Sequence, residues 1–409
     1  MVGFKTYQVW IISPFSPKNM RICIVGTAHP LRGGLASFNE RLAQELQQQQ
    51  CQVTIYTFSL QYPKLLFPGK TQYSSDAAPQ GLDIKVCVNS INPLNWLGVA
   101  RKIAREKPDL LIFKFWLPFM GPCFGSIARL VCRNTSNTRV CCILDNVIPH
   151  ERRPGDSLFT QYFLNACHTF VAMSQDVMND LRLFTSKQAK LLPHPIYDNF
   201  GEPTEQKNAR EYLKLDPTAN YLLFFGIIRR YKGLDLLLEA MADKRLQQRD
   251  IRLIVAGEFY EDPNPYNALI DRHNLHNRLV LHPQFIANDQ VRYYFGACNL
   301  VVQPYRNATQ SGISQMAYHF EKPMIVTNVG GLPEIVPDQK VGYVVTPTPS
   351  AIADAVVRFF DEQKADEFTL NVKAEKQRYQ WNNFVQQLLE MNASDLQMSA
   401  SFTNKPKHL

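Results

Sequence analysis

Arg229 and Lys232 stand three residues apart in Phe225-Gly226-Ile227-Ile228-Arg229-Arg230-Tyr231-Lys232-Gly233, directly after an apolar run. A guanidinium can grip phosphate oxygens in pairs and an ammonium adds a point charge, so this spacing fits a phosphate site as well as a solvated basic turn. A second candidate is Thr309-Gln310-Ser311-Gly312-Ile313-Ser314-Gln315-Met316. Ser311 suits a helix N-cap, and the amides of Gly312, Ile313 and Ser314 would then point the positive helix end toward an anion or simply close an ordinary capped helix. Gly26-Thr27-Ala28-His29-Pro30-Leu31-Arg32-Gly33-Gly34 follows another apolar run and opens a helical segment. Its glycines allow close backbone approach to a ligand or a plain tight turn. It is not the G-x-G-x-x-G fingerprint, because positions 28 and 31 are Ala and Leu. Asn328-Val329-Gly330-Gly331-Leu332-Pro333-Glu334 is a fourth glycine turn, with Glu334 as a capping carboxylate or a ligand group.

The elements that must position these residues are short β-rich runs alternating with helical periods, the pattern of a parallel sheet with crossover helices. In the first half the runs are 21–26, 53–58, 84–87, 110–113, 140–144 and 169–172. Leu35, Phe38, Leu42 and Leu46 mark one apolar face of a helix over 35–48. A second series follows at 221–225, 252–256, 279–282, 300–303, 324–327 and 341–345, with helical stretches at 233–243 and 288–297. The polar, proline-bearing stretch between them divides the chain. We expect an N-terminal extension over 1–19, a Rossmann-like domain over 20–197, a linker over 198–218, a second such domain over 219–371, a terminal helix over 372–391 and a polar tail over 392–409. In open α/β sheets ligands bind beyond the strand carboxyl ends, and two such domains facing each other make a cleft.

Composition narrows the class. The 409 residues are 45% hydrophobic, 20% charged and 11% aromatic, which excludes disordered, collagen-like and coiled-coil chains. The net charge of +8 favours anionic partners without choosing among them. Nine cysteines without a C-x-x-C pair read as reduced core residues and argue against a disulfide scaffold or a zinc site, pointing to a cytoplasmic setting. Val9 to Ile12 is too short for a signal-peptide core, and Met20 is a candidate start. The uncharged stretch from Phe115 to Ala128 contains two prolines and is too short to span a bilayer. Arg101, Lys102 and Arg105 on an amphipathic helix read as a solvated face or as a contact with an anionic membrane surface. Phe115 to Phe119 reads as core packing or as an acceptor groove. With no zinc spacing or aromatic RNA-binding signature, no nucleic-acid partner is expected.

Taken together, the motifs resemble those of family 4 (group 1) retaining glycosyltransferases over about residues 21–390. Gly226 with Lys232-Gly233 is similar to the family's phosphate motif and Gly257 to its V-x-G turn. Ala317…Lys322-Pro323…Gly330-Gly331-Leu332-Pro333-Glu334 is similar to its A-x-x-x-G-x-P-V…GG-x-x-E block. Gly33-Gly34 resembles its N-terminal donor or acceptor loop, and Asp145-Asn146-Val147-Ile148-Pro149-His150-Glu151 its H-N-V-x-P-H-E segment. The resemblance implies the GT-B fold: two doubly wound α/β domains facing a cleft, with the C-terminal helix packing back on the N-terminal domain.

By the same resemblance, Arg229 and Lys232 would hold the diphosphate of a nucleotide-sugar, aided by Gly226 and the backbone at Ser311, Gly312 and Ile313. Gly33 and Gly34 would approach from the other wall, and no metal or other cofactor is implied. Asp145 stands where the family has histidine, and could orient a donor hydroxyl, stabilise charge on the sugar or cap the next turn. His150 is a further catalytic or local hydrogen-bonding candidate. The chain departs from the pattern at Ile227, where Arg is usual, so the role passes to Arg229 with Arg230 in reserve, and at Glu321, where Gly is usual. The usual pair of glutamates falls on Ala308 and Met316, with Gln310 and Gln315 as neutral substitutes. The expected function is transfer of a sugar from a nucleotide donor to a glycan or lipid-linked acceptor in cell-surface polysaccharide or glycolipid assembly. The protein would be cytoplasmic, or peripheral on the inner face of the plasma membrane. An epimerase or phosphorylase on the same fold, or a non-catalytic nucleotide-sugar-binding scaffold, remains open from the sequence.

Overall fold

The computed structural model describes residues 19–63, 71–74, 77–149, 153–308 and 311–403, with side chains described as far as residue 393. The first seven strands are β1 (Arg21–Val25), β2 (Gln52–Leu60), β3 (Asp83–Asn89), β4 (Leu110–Phe115), β5 (Arg139–Leu144), β6 (Thr169–Ala172) and β7 (Ala189–Leu191). They form one parallel sheet in the order β3-β2-β1-β4-β5-β6-β7. Its crossover helices are α1 (Gly34–Gln48), α2 (Pro93–Glu106), α3 (Gly121–Asn134), α4 (Asp156–Leu164) and α5 (Gln175–Arg182). Phe38, Leu42 and Leu46 of α1 are fully buried, as the helical period requires.

After α6 (Gln206–Tyr212) the second sheet takes β8 (Asn220–Phe225), β9 (Ile251–Ala256), β10 (Leu279–His282), β11 (Leu300–Gln303), β12 (Met324–Thr327) and β13 (Gly342–Val345), in the order β10-β9-β8-β11-β12-β13. It is again parallel throughout. Its helices are α7 (Leu234–Met241), α8 (Lys244–Gln247), α9 (Asn264–Arg272), α10 (Val291–Ala297), α11 (Gly312–His319), α12 (Leu332–Ile335) and α13 (Pro349–Asp361). Both faces of each sheet are covered, which is why the central strands read as continuous apolar runs. Two facing α/β sheets of this order are the GT-B architecture. Strand order reverses between β1 and β4 and between β8 and β11, and at such points loops splay apart and leave room for a ligand.

Three sequence expectations change. The terminal helix does not run unbroken over 372–391. It divides into α14 (Ala365–Glu375) and α15 (Trp381–Thr403), separated by a tight turn and an extended Gln380. No polar tail starts at Asn392, because α15 runs on and Asn392 is fully buried. Its amide accepts from Thr169 Oγ1 at 2.6 Å and donates to Leu388 O at 2.7 Å, so its polarity is met inside the protein. The stretch 198–218 carries α6, which meets α10 of the second unit by apolar and polar contacts: Ala209 is fully buried and Tyr212 stacks on Tyr293 at 3.8 Å, while Arg210 donates to Ala297 O at 3.2 Å and to Asn299 Oδ1 at 3.1 Å. A helix of seven residues with one fully buried apolar side chain is too short to show a period. As expected, α15 returns to the N-terminal unit and packs on α1, β5 and β6.

Candidate functional site

The carboxyl ends of the two sheets face a common cavity of about 440 Å³, within the range of small-ligand sites. Gly33, Gly34 and Asp145 line it from the first unit, and Gly226, Lys232 and Gly312 from the second. Eight of the twelve candidate residues reach this wall: those six, Ser311 and its neighbour Ile313.

Close packing explains how the second-unit residues meet. Gly226 has φ +97°, and a Cβ there would lie 3.2 Å from both Lys232 Nζ and Ile313 Cδ1. The ammonium and the start of α11 therefore converge above one glycine. Lys232 is 8% exposed, and among the described residues no carboxylate pairs with it. Burial, helped by the positive Arg229 nearby, lowers its pKa to about 8. A buried cation without a carboxylate is a strong attractor for an anion.

Ser311 caps α11 by accepting from the Ile313 amide at 3.2 Å, so that amide is partly engaged and Gly312 offers the freer N–H. Ser311 is itself held by Gln303 of β11, whose Oε1 accepts from Ser311 Oγ at 2.6 Å and Ser314 Oγ at 3.1 Å. Tyr197 ties the two walls. Its hydroxyl donates to Gly34 O at 3.1 Å, while its ring would meet a Cβ on Gly312 at 2.7 Å.

Other candidates are not brought to the wall. Arg229 is half-buried with its guanidinium 5.7 Å from the Tyr260 ring centre, and is not among the cavity-lining residues. Gln315 is fully buried and away from the cavity, and neither of its amide atoms finds a hydrogen-bond partner among the described residues. His150 and Gln310 lie outside the described residues. Ala308 and Met316, at the positions of the usual acidic pair, do line the cavity and make that part of it apolar. Trp116 donates to Tyr62 Oη at 2.6 Å and packs edge-on against Phe58, which is core behaviour.

Sequence reasoning missed Lys114, Tyr197 and the ion pair between Arg32 and Glu258 at 2.7 Å, which joins the two units. Lys114 had a legible signal, being the one charge inside Leu110-Leu111-Ile112-Phe113-Lys114-Phe115. The Arg32 contact had none, since its partner is 226 residues away. Among the described residues no cluster of His, Cys, Asp and Glu could hold a metal ion, and no helix is long and apolar enough to cross a membrane.

Comparison with known proteins gives two family matches: glycosyl transferases group 1 over residues 205–378, and glycosyltransferase family 4 over residues 32–197. A D-inositol 3-phosphate glycosyltransferase of Segniliparus rotundus is 30% identical over 146 residues, covering 35% of this chain and 32% of that protein. The matched stretches span about a third to a half of the length of the curated relatives. Among solved structures, sucrose-phosphate synthase of Thermosynechococcus elongatus superimposes with a TM-score of 0.70 at 18% identity, over 94% of this chain and 100% of that one. Anabaena HepE in complex with UDP gives 0.68 at 16% identity, over 92% and 100%.

Proposed function

The chain belongs to the group 1, family 4 glycosyltransferases, and on that premise we propose that it moves a sugar from a nucleotide diphosphate donor to a hydroxyl of a glycan or lipid-linked acceptor, with retention at the anomeric carbon. The observation that carries this reading is the convergence of the buried Lys232, which has no carboxylate partner among the described residues, with the start of α11 above Gly226, facing the Gly33–Gly34 loop. An electropositive pocket of this kind stabilises negative charge as it develops on a leaving diphosphate. The bond from the anomeric carbon to the phosphate oxygen breaks, the acceptor oxygen bonds to that carbon, and the acceptor proton passes to the departing diphosphate.

In this scheme Lys232 and the Gly312 amide hold the diphosphate, with Arg229 raising the local positive potential from behind. Asp145 faces the transferring sugar from the opposite wall. Two cationic groups and a helix end supply the charge that a divalent ion supplies in other transferases, so the proposed reaction needs no cofactor. The UDP-bound state of HepE supports a nucleotide diphosphate as the ligand class. Leu94 is highly exposed at the start of α2, and Arg101, Lys102 and Arg105 on the same helix are exposed, which supports docking on the anionic inner face of the plasma membrane and cell-surface glycan assembly as the setting.

The test is a thermal-shift screen against UDP, GDP, ADP, CMP and their sugars. A ligand at a hundred times its dissociation constant adds about 2.7 kcal/mol to stability. A flat response to every nucleotide would refute the proposal. A second reading, a non-catalytic sugar-nucleotide receptor, draws on the apolar Ala308 and Met316 at the wall. It predicts nucleotide binding with no sugar transferred or released.

A further inference from the structure

Lys114 is the most deeply buried charge near the cavity, at 1% exposure, and it does not line the cavity itself. Its ammonium donates to Asp145 Oδ1 at 2.8 Å and sits 3.6 Å from the centre of the Phe38 ring. Met173 Sδ is 3.8 Å away, and the Cβ of Lys114 packs 3.5 Å from where a Cβ on Gly26 would stand. Strands β1, β4, β5 and β6 and helix α1 thus close around one ammonium at their carboxyl-end side. Nothing in core packing asks for a cation there, since a methionine fills the same space without desolvating a charge. What the cation has that a methionine lacks is a hold on Asp145, and Asp145 does reach the cavity.

We infer that Lys114 is a positioning residue for Asp145: through a buried ion pair it fixes the Asp145 carboxylate in one orientation at the cavity wall where the donor sugar lies. This rests on the proposed function, which makes the cavity a sugar-nucleotide site. The pair divides the labour with the opposite wall, where Lys232 and α11 take the diphosphate. The titratable groups around the pair are His194, Tyr197 and Cys142. Burial and the neighbouring Lys114 hold His194 neutral, with its pKa lowered to about 3, and burial holds Tyr197 and Cys142 in their neutral forms. Between pH 6 and 8 none of these three changes charge, so they do not alter the field around the pair across that range.

The experiment measures dissociation constants by calorimetry at pH 6 and pH 8 for UDP and UDP-glucose, GDP and GDP-mannose, and ADP and ADP-glucose. The chains compared are wild type, Lys114→Met, Asp145→Asn and the double variant, all full length. For the pair that wild type binds, the sugar nucleotide should bind tighter than its diphosphate, and every variant should keep its diphosphate affinity within about twofold. Asp145→Asn should lose the sugar preference at both pH values. Lys114→Met should lose it about tenfold at both pH values, because the carboxylate no longer has the ammonium that fixes its orientation. The double variant should match Asp145→Asn, since Lys114 acts only through Asp145. If Lys114→Met does not fold, that last equality still decides, and a further tenfold loss in the double variant overturns the inference. A wild-type sugar preference of one, or a Lys114→Met preference equal to wild type at both pH values, also overturns it while leaving the transferase reading in place. Failure of wild type to bind any diphosphate overturns both.

Discussion

The ring of Tyr197 packs so closely on Gly312 that a Cβ at residue 312 would lie 2.7 Å from Tyr197 Cε2. The same tyrosine donates to Gly34 O at 3.1 Å, so one buried ring sets the distance between the glycine loop of the first sheet and the helix start of the second. Gly312→Ala must push the ring or the helix away, at a cost of about 1–3 kcal/mol in strain. We expect nucleoside diphosphate affinity to fall about tenfold or more. Tyr197→Phe, which removes only the hydroxyl, should cost about 1 kcal/mol in stability and much less in affinity. Calorimetric titration with the best-bound diphosphate, beside a denaturant melt, separates the two. Equal affinities for wild type and Gly312→Ala would show that the helix start is not a ligand contact.

Lys232 sets function against stability. Its pKa in the fold is lowered from 10.5 to about 8, with burial the larger cause and Arg229 the second. Between pH 8 and 10.5 the unfolded chain therefore binds the proton that the folded chain releases, and stability rises with pH across that window. Below pH 8 the charged lysine costs about 3 kcal/mol relative to a group without this shift. Lys232→Met should raise the melting temperature at pH 7 while abolishing diphosphate binding. In wild type, affinity should decline as pH rises above about 8, because the neutral amine no longer attracts phosphate. A Lys232→Met chain that is both less stable and still able to bind would remove this residue from the site.

The sheets and their switch points were legible because parallel strands buried on both faces leave runs such as Leu222-Leu223-Phe224-Phe225 that turn signals bound cleanly. Gly226, Lys232, Ser311 and Gly312 were legible for the same reason: each follows a strand that the pattern places. Arg229 was set beside Lys232 by the family resemblance, because Ile227 stands where that family has arginine. The tight turn over Arg230–Lys232 carries Lys232 onto the wall and leaves Arg229 stacked on Tyr260. Tyr197 and the Arg32–Glu258 pair were invisible because their meaning lies wholly in contacts across 115 and 226 positions, which no local period encodes. Asn392 was misread because a buried asparagine with both ends satisfied has the composition of a tail.

His194 should make the fold acid-sensitive. It is 5% exposed, hydrogen-bonded through Nδ1 to Pro195 O at 2.6 Å, and flanked by the rings of Phe38 and Tyr197 at 5.1 and 5.0 Å. Burial, reinforced by Lys114, lowers its pKa from 6.5 to about 3. As pH falls below 6.5 the unfolded chain takes up a proton that the native chain refuses, so stability drops with pH down to about 3. Between pH 6.5 and 5 this one group should remove up to about 2 kcal/mol. His194→Gln does not titrate, and urea melts at the two pH values should show a smaller loss for it. An identical loss in both chains would place the acid sensitivity elsewhere.

Trp381 fastens the returning C-terminal helix. Its indole donates to Ile196 O at 2.7 Å and its ring lies 5.1 Å from Phe38 and 6.0 Å from Phe384, with the Arg41 guanidinium 5.2 Å from it. Phe38 is the same ring that supports the Lys114 ammonium, so α15 buttresses the wall that presents Asp145. Trp381→Ala should cost about 3–5 kcal/mol, and Trp381→Phe less, because most of the ring packing survives while the Ile196 carbonyl loses its donor. Diphosphate affinity, which depends on Lys232 and α11, should change little in Trp381→Phe, whereas the extra affinity for the sugar nucleotide should fall. Calorimetry with the diphosphate and its sugar nucleotide reads both numbers on one sample. Loss of diphosphate binding with sugar preference intact would mean that α15 supports the second wall rather than the first.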